Sequence, residues 1–195
     1  MNPPLAIVTG FGPFPSVPDN PSEKVAKLLQ SEPPSGIEVR ALELPVSFAR
    51  AKSCLEAFLA EVPERPSVLL GLGAHRKSYF RLERRARRIL DSVKPDNEGQ
   101  FAAAFSPLGD QDLITSCDLE QAAKTLVAPE LEPVVISDQA GGYVCELAYH
   151  ALLEAGGRLG VPALFLHVPP AEFLAPTDQA QHVRKLLSLL VSGAE

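Results

Sequence analysis

Cys145 is the residue whose chemistry most needs an explanation, because it follows two glycines and begins an amphipathic helical pattern in ISDQAGGYVCELAYHALLEAGG. In the first turn of a helix, unpaired backbone N–H groups and the helix dipole favour a thiolate. Gly141 and Gly142 allow a sharp turn and can aim N–H groups at a developing oxyanion. The alternative is an unreactive thiol beside the helix's apolar stripe.

His167 favours the reactive interpretation. It ends the apolar run ALFLHV, twenty-two residues after Cys145. A right-handed crossover returns the end of that strand to the start of the preceding helix, so the imidazole is expected near the thiol. Nucleophilic catalysis needs this arrangement, together with a third group that orients the imidazole. The three groups together suggest a cysteine hydrolase that works by acyl transfer, with Glu83 as the orienting carboxylate.

Glu83 is the one acid in the basic run RKSYFRLERRARR, which extends from Arg76 to Arg88 with seven basic residues. A basic run is usually a solvated face, and we predict that role for most of these arginines. The neighbouring cations favour the charged form of the Glu83 carboxyl.

The elements that must position these groups follow an α/β order. Short apolar runs predict buried strands at LAIVTG, SVLLGLG, PVVISD and ALFLHV, and the alternating VRALELPV predicts an edge strand. Helical patterns occupy NPSEKVAKLLQS, SFARAKSCLEAFLAEV, CDLEQAAKTLV, GYVCELAYHALLEAG and TDQAQHVRKLLSLLVSG. Their alternation predicts one α/β domain over residues 1–195, with a mainly parallel sheet and a long excursion at 91–112. We expect the residues that follow the strands to gather at one sheet edge, where ligands bind.

Composition excludes several classes of function. The 195 residues are 46% hydrophobic and 22% charged, with a net charge of −6 that argues against a nucleic-acid partner. We find no apolar run long enough to span a membrane and no secretory signal, so no membrane association is predicted. Three cysteines, distant in sequence, suggest reduced thiols in the cytoplasm. No His or Cys spacing resembles a metal site, so we predict no metal.

The first loop, VTGFGPF, has two glycines but lacks the patterns of phosphate-binding loops. Phe11 and Phe14 suit a flat, neutral ligand better than a phosphate. Two core phenylalanines beside a tight turn are the alternative.

The motifs VTGFGPF, NPS, LPVSF, PDNEG, SDQAGGYVCELAY and LHVP occur in this order from Val8 to about Pro169. In this the chain resembles the pyroglutamyl peptidase type I family of cysteine peptidases. The resemblance implies Cys145 as nucleophile, His167 as general base and acid, and Glu83 as the acidic member, since LERRA matches the family's PERxA element. It implies that Phe11 and Phe14 hold the lactam ring and that Asn20 belongs to the same pocket region. We add Gly142, Tyr143 and Val144, beside the cysteine, as substrate contacts.

The family also implies an α/β/α sandwich with a mainly parallel, mixed sheet, no cofactor, a cytoplasmic location and a homo-oligomer. The predicted activity is removal of an amino-terminal pyroglutamyl group from peptides through a thioester. One alternative is a catalytically weak homologue that binds a pyroglutamyl-like ligand or a partner protein. Another is a nucleoside phosphorylase-like enzyme on a related sheet, in which Cys145, His167 and Glu83 would be idle.

Departures from the family pattern motivate the first alternative. The segment AHRKSYFRL stands where the family has a glycine pair and an arginine, and Leu82 replaces a usual proline. Arg88 or Ile89 stands near a usual asparagine, and Gly142 replaces a common threonine. Glu146 replaces a common asparagine, and its carboxylate would raise the pKa of the Cys145 thiol unless it points away.

Overall fold

The computed structural model describes residues 3–15 and 17–193. The strands are β1 (Leu5–Phe11), β2 (Glu38–Leu44), β3 (Val68–Ala74), β4 (Arg81–Glu83), β5 (Arg85–Ala86), β6 (Leu113–Ile114), β7 (Val135–Ser137) and β8 (Ala163–Val168). The α-helices are α1 (Pro21–Ser31), α2 (Ala51–Glu61), α3 (Leu119–Thr125), α4 (Val144–Leu159) and α5 (Pro176–Ser192). A 3₁₀ turn covers Ala102–Phe105 within the predicted excursion.

Six strands form a mixed sheet in the order β2-β1-β3-β8-β4-β7. The first four are parallel, whereas β4 is antiparallel to β8 and parallel to β7. The predicted edge position of β2 is confirmed. We expect the residues after every predicted strand to gather at one edge, and for PVVISD this is wrong: β7 runs opposite to β8, so its carboxyl end points away from that edge. β5 and β6 pair separately.

Helices cover both faces of the sheet and bury two apolar cores. Side chains of α1, α3 and α5 pack on one face, around Val8, Leu70 and Leu166. Those of α2 and α4 pack on the other face, around Ile7 and Phe165. Alternate residues of each central strand therefore serve opposite cores, as a fully covered sheet requires. The predicted α/β/α sandwich is confirmed.

Two local differences have clear causes. Helix α2 begins at Ala51, not at the predicted Ser47, because residues 47–50 form a turn in which Ser47 Oγ accepts a hydrogen bond from the Arg50 amide at 3.2 Å. Strand β4 lies inside the basic run, most of whose arginines we predict to be solvated. Three residues flanked by arginines are too few to show a strand period, so no sequence pattern predicts this strand.

Gly10 permits the close contact between β1 and α1 that places the first loop. A Cβ at Gly10 would lie 2.4 Å from the Ser22 carbonyl oxygen and 2.9 Å from Glu23 Cα. Both are backbone atoms, so rotation of a side chain cannot relieve the clash.

Gly10→Ala is therefore expected to lower the thermal midpoint of unfolding, at a cost of about 1–3 kcal/mol typical of overpacking. Gly157→Ala is the matched control, because Gly157 lies on α4 with no atom within 4 Å of an added Cβ. There alanine is expected to raise stability by about 0.5–1 kcal/mol. Equal midpoints for the two variants would contradict the account of Gly10.

Candidate active site

Glu83 and His167 form a buried hydrogen-bonded pair between neighbouring strands. His167 Nδ1 lies 2.7 Å from Glu83 Oε1, and the two residues are 3% and 0% exposed. The imidazole also packs against the rings of Phe165 and His75, with centroids 5.0 and 5.9 Å away. Burial lowers the pKa of His167, although its bond to Glu83 acts in the opposite direction. The imidazole is thus held neutral, with its Nδ1 proton directed at the carboxylate.

Cys145 lies in the first turn of α4, which packs against β3 and β8. Burial raises the pKa of the Cys145 thiol to about 12, and the negative charge of Glu83 is the second-largest cause of this increase. Our expectation of a low-pKa thiol is therefore wrong. The helix start acts weakly over a short range, whereas removal from water and a nearby carboxylate both disfavour the thiolate.

The structure brings Cys145 and His167 to the same charged environment. The carboxylate of Glu83 perturbs the pKa of both groups, as does the guanidinium of Arg81. Within residues 3–15 and 17–193, no hydrogen bond joins the Cys145 sulfur to the imidazole. Catalytic hydrogen bonds are often long or poorly aligned without substrate, so the lack of this bond is compatible with proton transfer in a substrate complex.

The two glycines before α4 make the sharp turn that the sequence predicts. Gly141 and Gly142 have φ values of +100° and +66°, which favour glycine. A Cβ on Gly142 would also lie 1.8 Å from Asp91 Oδ1. The Gly142 amide donates a hydrogen bond to Glu146 Oε2 at 3.0 Å. Contrary to our expectation, this N–H is therefore not available to an oxyanion.

Glu146 is fully buried and joins the glycine turn to the backbone of the segment that follows β5. Besides the Gly142 amide, it accepts the Arg87 amide at 2.7 Å and lies 3.4 Å from Arg87 Nε. Its charge still raises the pKa of Cys145, less than burial and Glu83 do. Because the carboxylate is tied to backbone donors, it is a fixed part of the site.

A cavity of about 510 Å³ opens beside the glycine turn. Its lining includes Phe14, Lys94, Gly141 and Tyr143. The Tyr143 hydroxyl donates to the Pro95 carbonyl at 2.9 Å, and its ring meets Phe48 edge-on. The wall that carries Tyr143 is therefore fixed from both ends.

The other predicted substrate contacts lie behind this cavity. Phe11 and Val144 are buried in the core that α2 and α4 share with the sheet. Asn20 caps α1 by accepting the Ser22 amide, and its Nδ2 donates to the Gly12 carbonyl at 3.1 Å. All polar groups of the Asn20 side chain thus serve to hold the first loop in place.

Several arginines of the basic run form ion pairs with acidic side chains, although we expected most of them to be solvated. Arg84 binds Asp138, Arg85 binds Asp112, and Arg87 binds Asp91 as well as Glu146. Arg81 binds Glu83 through its Nε at 2.6 Å. We did not single out Arg81 from the sequence, although residues two apart in a strand share a face.

In the part of the chain that the structure describes, no three His, Cys, Asp or Glu side chains are grouped so that they could hold a metal ion. Among the helices of that part, none is both long and apolar enough to cross a bilayer.

Comparison with known proteins identifies the family. The family model described as pyroglutamyl peptidase matches residues 5–183. A pyrrolidone-carboxylate peptidase of Deinococcus radiodurans is 38% identical over 171 residues, which cover 85% of this chain and 78% of the relative. One from Pyrococcus furiosus is 32% identical over 167 residues, covering 84% and 79%.

Solved structures agree. A mutant pyrrolidone carboxyl peptidase from Pyrococcus furiosus superposes with a TM-score of 0.86 at 25% identity, covering 98% of this chain and all of that one. The enzyme from Fervidobacterium islandicum gives 0.78 at 27% identity, with 97% of both chains covered. On this evidence, and with the buried Glu83–His167 pair beside a helix-start cysteine, the chain belongs to the pyroglutamyl peptidase family.

Proposed function

We propose that this protein is a cysteine exopeptidase that removes an amino-terminal pyroglutamyl residue from peptides through a thioester intermediate. The observation that carries the proposal is the 2.7 Å hydrogen bond between His167 and the buried Glu83, in a chain of this family. The charge of the same carboxylate also acts on the Cys145 thiol. Relatives named pyrrolidone-carboxylate peptidase support the substrate class.

Acylation starts from a neutral thiol, because burial raises the pKa of Cys145 to about 12. Its sulfur attacks the carbonyl carbon of the pyroglutamyl amide while His167 Nε2 takes the thiol proton. Nδ1 keeps its own proton and donates it in a hydrogen bond to the Glu83 carboxylate, whose charge stabilises the imidazolium as it forms. The nucleophile is thus generated by general-base catalysis during the attack, and the resting enzyme needs no thiolate.

The same imidazole completes the turnover. The imidazolium donates its proton to the leaving amine as the C–N bond breaks, which leaves pyroglutamate joined to Cys145 as a thioester. His167 then removes a proton from water, the hydroxyl adds to the thioester carbonyl, and the C–S bond breaks with return of the proton to sulfur. Pyroglutamic acid and the shortened peptide are the products.

The oxyanion of each tetrahedral intermediate needs donors near Cys145. Since Gly142 gives its N–H to Glu146, we assign this role to the amides of Val144 and Cys145 in the first turn of α4. Helix-start amides have no acceptor within the helix and are fixed before the reaction begins.

Selectivity comes from the cavity beside the glycine turn. A pyroglutamyl end carries no charge, so the pocket must recognise a flat ring with one N–H and one carbonyl. Phe14 and Tyr143 supply aromatic surface, and Gly141 contributes a stretch of wall without a side chain. Gly142 acts beside this wall by holding the turn before Cys145. Phe11, Val144 and Asn20 contribute by supporting that wall from the core and the first loop.

The cytoplasmic location, the homo-oligomer and the absence of a nucleic-acid partner stay predictions from sequence.

Cys145→Ser is expected to lower kcat for a fluorogenic pyroglutamyl amide by at least about 10³-fold, because a hydroxyl is a much weaker nucleophile in this site. Cys54→Ser, which alters another partly buried free cysteine on α2, is the matched control and should keep full activity. Full activity of the Cys145 variant would rule out the mechanism. A wild-type protein that binds the amide without turnover would support the weak homologue instead.

Glu83→Gln is expected to lower kcat by roughly 10²-fold, the usual size of a general acid–base contribution, with KM little changed. Glu83 is fully buried and acts through His167, so it has no surface with which to bind substrate. Glu154→Gln serves as the control, since Glu154 pairs with Lys52. An unchanged kcat in the Glu83 variant would leave the orienting group unidentified.

Phe14→Ala is expected to lower kcat/KM for the pyroglutamyl amide by an order of magnitude or more. Stacking contributes about 0.5–1.5 kcal/mol beyond area burial, and tenfold corresponds to about 1.4 kcal/mol. Alkylation of Cys145 by iodoacetamide should stay as fast as in the wild type. Phe101→Ala removes an exposed ring from the 91–112 excursion and should behave as wild type. If kcat/KM survives in the Phe14 variant, the pocket assignment is wrong.

A further inference from the structure

Arg81 lies directly across from His167 in the antiparallel pairing of β4 with β8. Its Nε donates to Glu83 Oε1 at 2.6 Å, and its terminal Nη2 lies 3.3 Å from His167 Nδ1. The side chain is 22% exposed, so the guanidinium reaches into the site from its rim. Nothing in the mechanism above uses this residue.

The hydrogen bonds around Glu83 are unevenly shared. Oε1 accepts from both Arg81 and His167, whereas the buried Oε2 has no partner among the described residues. Since Nδ1 donates its proton to Oε1, it cannot also accept from Arg81. The 3.3 Å approach therefore brings a positive charge to the imidazole rather than a hydrogen bond.

The charged and titratable groups around His167 come from three elements. Strand β4 supplies Glu83 and Arg81, helix α4 supplies Glu146, and the residue that follows β3 is His75. His75 is held neutral, with its pKa lowered to about 4 mainly by burial. The two carboxylates raise the pKa of His167 and of Cys145, and Arg81 lowers both.

We propose that Arg81 is a positioning residue of the site, which orients the Glu83 carboxylate toward His167 and offsets its charge so that His167 stays neutral and the Cys145 proton can leave. This inference rests on the roles assigned to Glu83, His167 and Cys145 in the proposed function. A fixed cation at this place reduces the effect of two buried carboxylates on the thiol. The cation also disfavours protonation of the His167 imidazole before substrate binds.

The test is the pH dependence of Arg81→Met, which removes the charge and keeps an apolar stem. In the wild type, kcat/KM should fall in acid only below the ordinary histidine pKa of about 6.5, because burial lowers that of His167. Without the cation, protonation of the imidazole becomes easier, so the acid limb should move up by about one unit. The rate of Cys145 alkylation by iodoacetamide at pH 8 should fall about tenfold, because less thiolate is present.

Two further variants distinguish the effect of the positive charge at position 81 from the general effect of replacing an arginine in this run. Arg81→Lys keeps the charge and should leave the acid limb near the wild-type position, with a lower kcat because one ammonium cannot reproduce the guanidinium geometry. Arg84→Met removes the same charge from the next arginine of the run, which pairs with Asp138 at the surface. Its limb and its alkylation rate should match the wild type.

The inference would be overturned if Arg81→Met left both the acid limb and the alkylation rate unchanged. It would also be overturned if Arg84→Met shifted them as much as Arg81→Met does. Arg81→Gln is a second neutral variant for the case that the first fails to fold. Unfolding of both would also overturn the inference, because it would make Arg81 a stability residue. Alkylation needs no turnover, so a wild-type protein that lacks peptidase activity would refute the proposed function, while the thiol readout would still decide the role of Arg81.

Discussion

Burial of the Glu83 carboxylate is the constraint on which the arrangement of the site depends. A charge removed from water is costly unless hydrogen bonds and opposite charge compensate it. Here His167 and Arg81 provide that compensation on one oxygen, and both reach it because β4 is inserted antiparallel beside β8. The short strand, its reversed direction and the register of the pair are therefore linked to one electrostatic requirement.

Much of the scaffold could be predicted from the sequence because it obeys local rules. Apolar runs located β1, β3 and β8, and the helical period located α4 behind its two glycines. Strand β4 could not be found in this way. Its three residues lie among arginines, and its partners β8 and β7 are far away along the chain, so no local pattern reports the pairing. Glu83 was identified through its charge context and family motif, and its burial was not foreseen.

The thiol shows how tertiary context overrides a local preference. The position of Cys145 at a helix start argues for a low pKa, and that argument is local. Desolvation and the charge of Glu83 arise from strands that fold against α4, and they raise the pKa instead. The carboxylate that makes His167 a well-oriented base thus also makes the thiol harder to ionise. A site built in this way must transfer the proton during attack.

Glu146 adds a second buried carboxylate to this balance, and its contacts explain why the chain retains it. The departures from the family pattern at Gly142 and Glu146 are joined, since one donates its amide to the other. Glu146 also receives the Arg87 amide, and Arg87 in turn holds Asp91 against the turn, where a Cβ on Gly142 would clash. The φ of +66° and the contact with Asp91 favour glycine at 142, and the acid at 146 accepts the amide that this turn presents. The pair fixes the turn before Cys145 at the cost of more negative charge near the thiol, which makes a compensating cation at Arg81 more important in this chain.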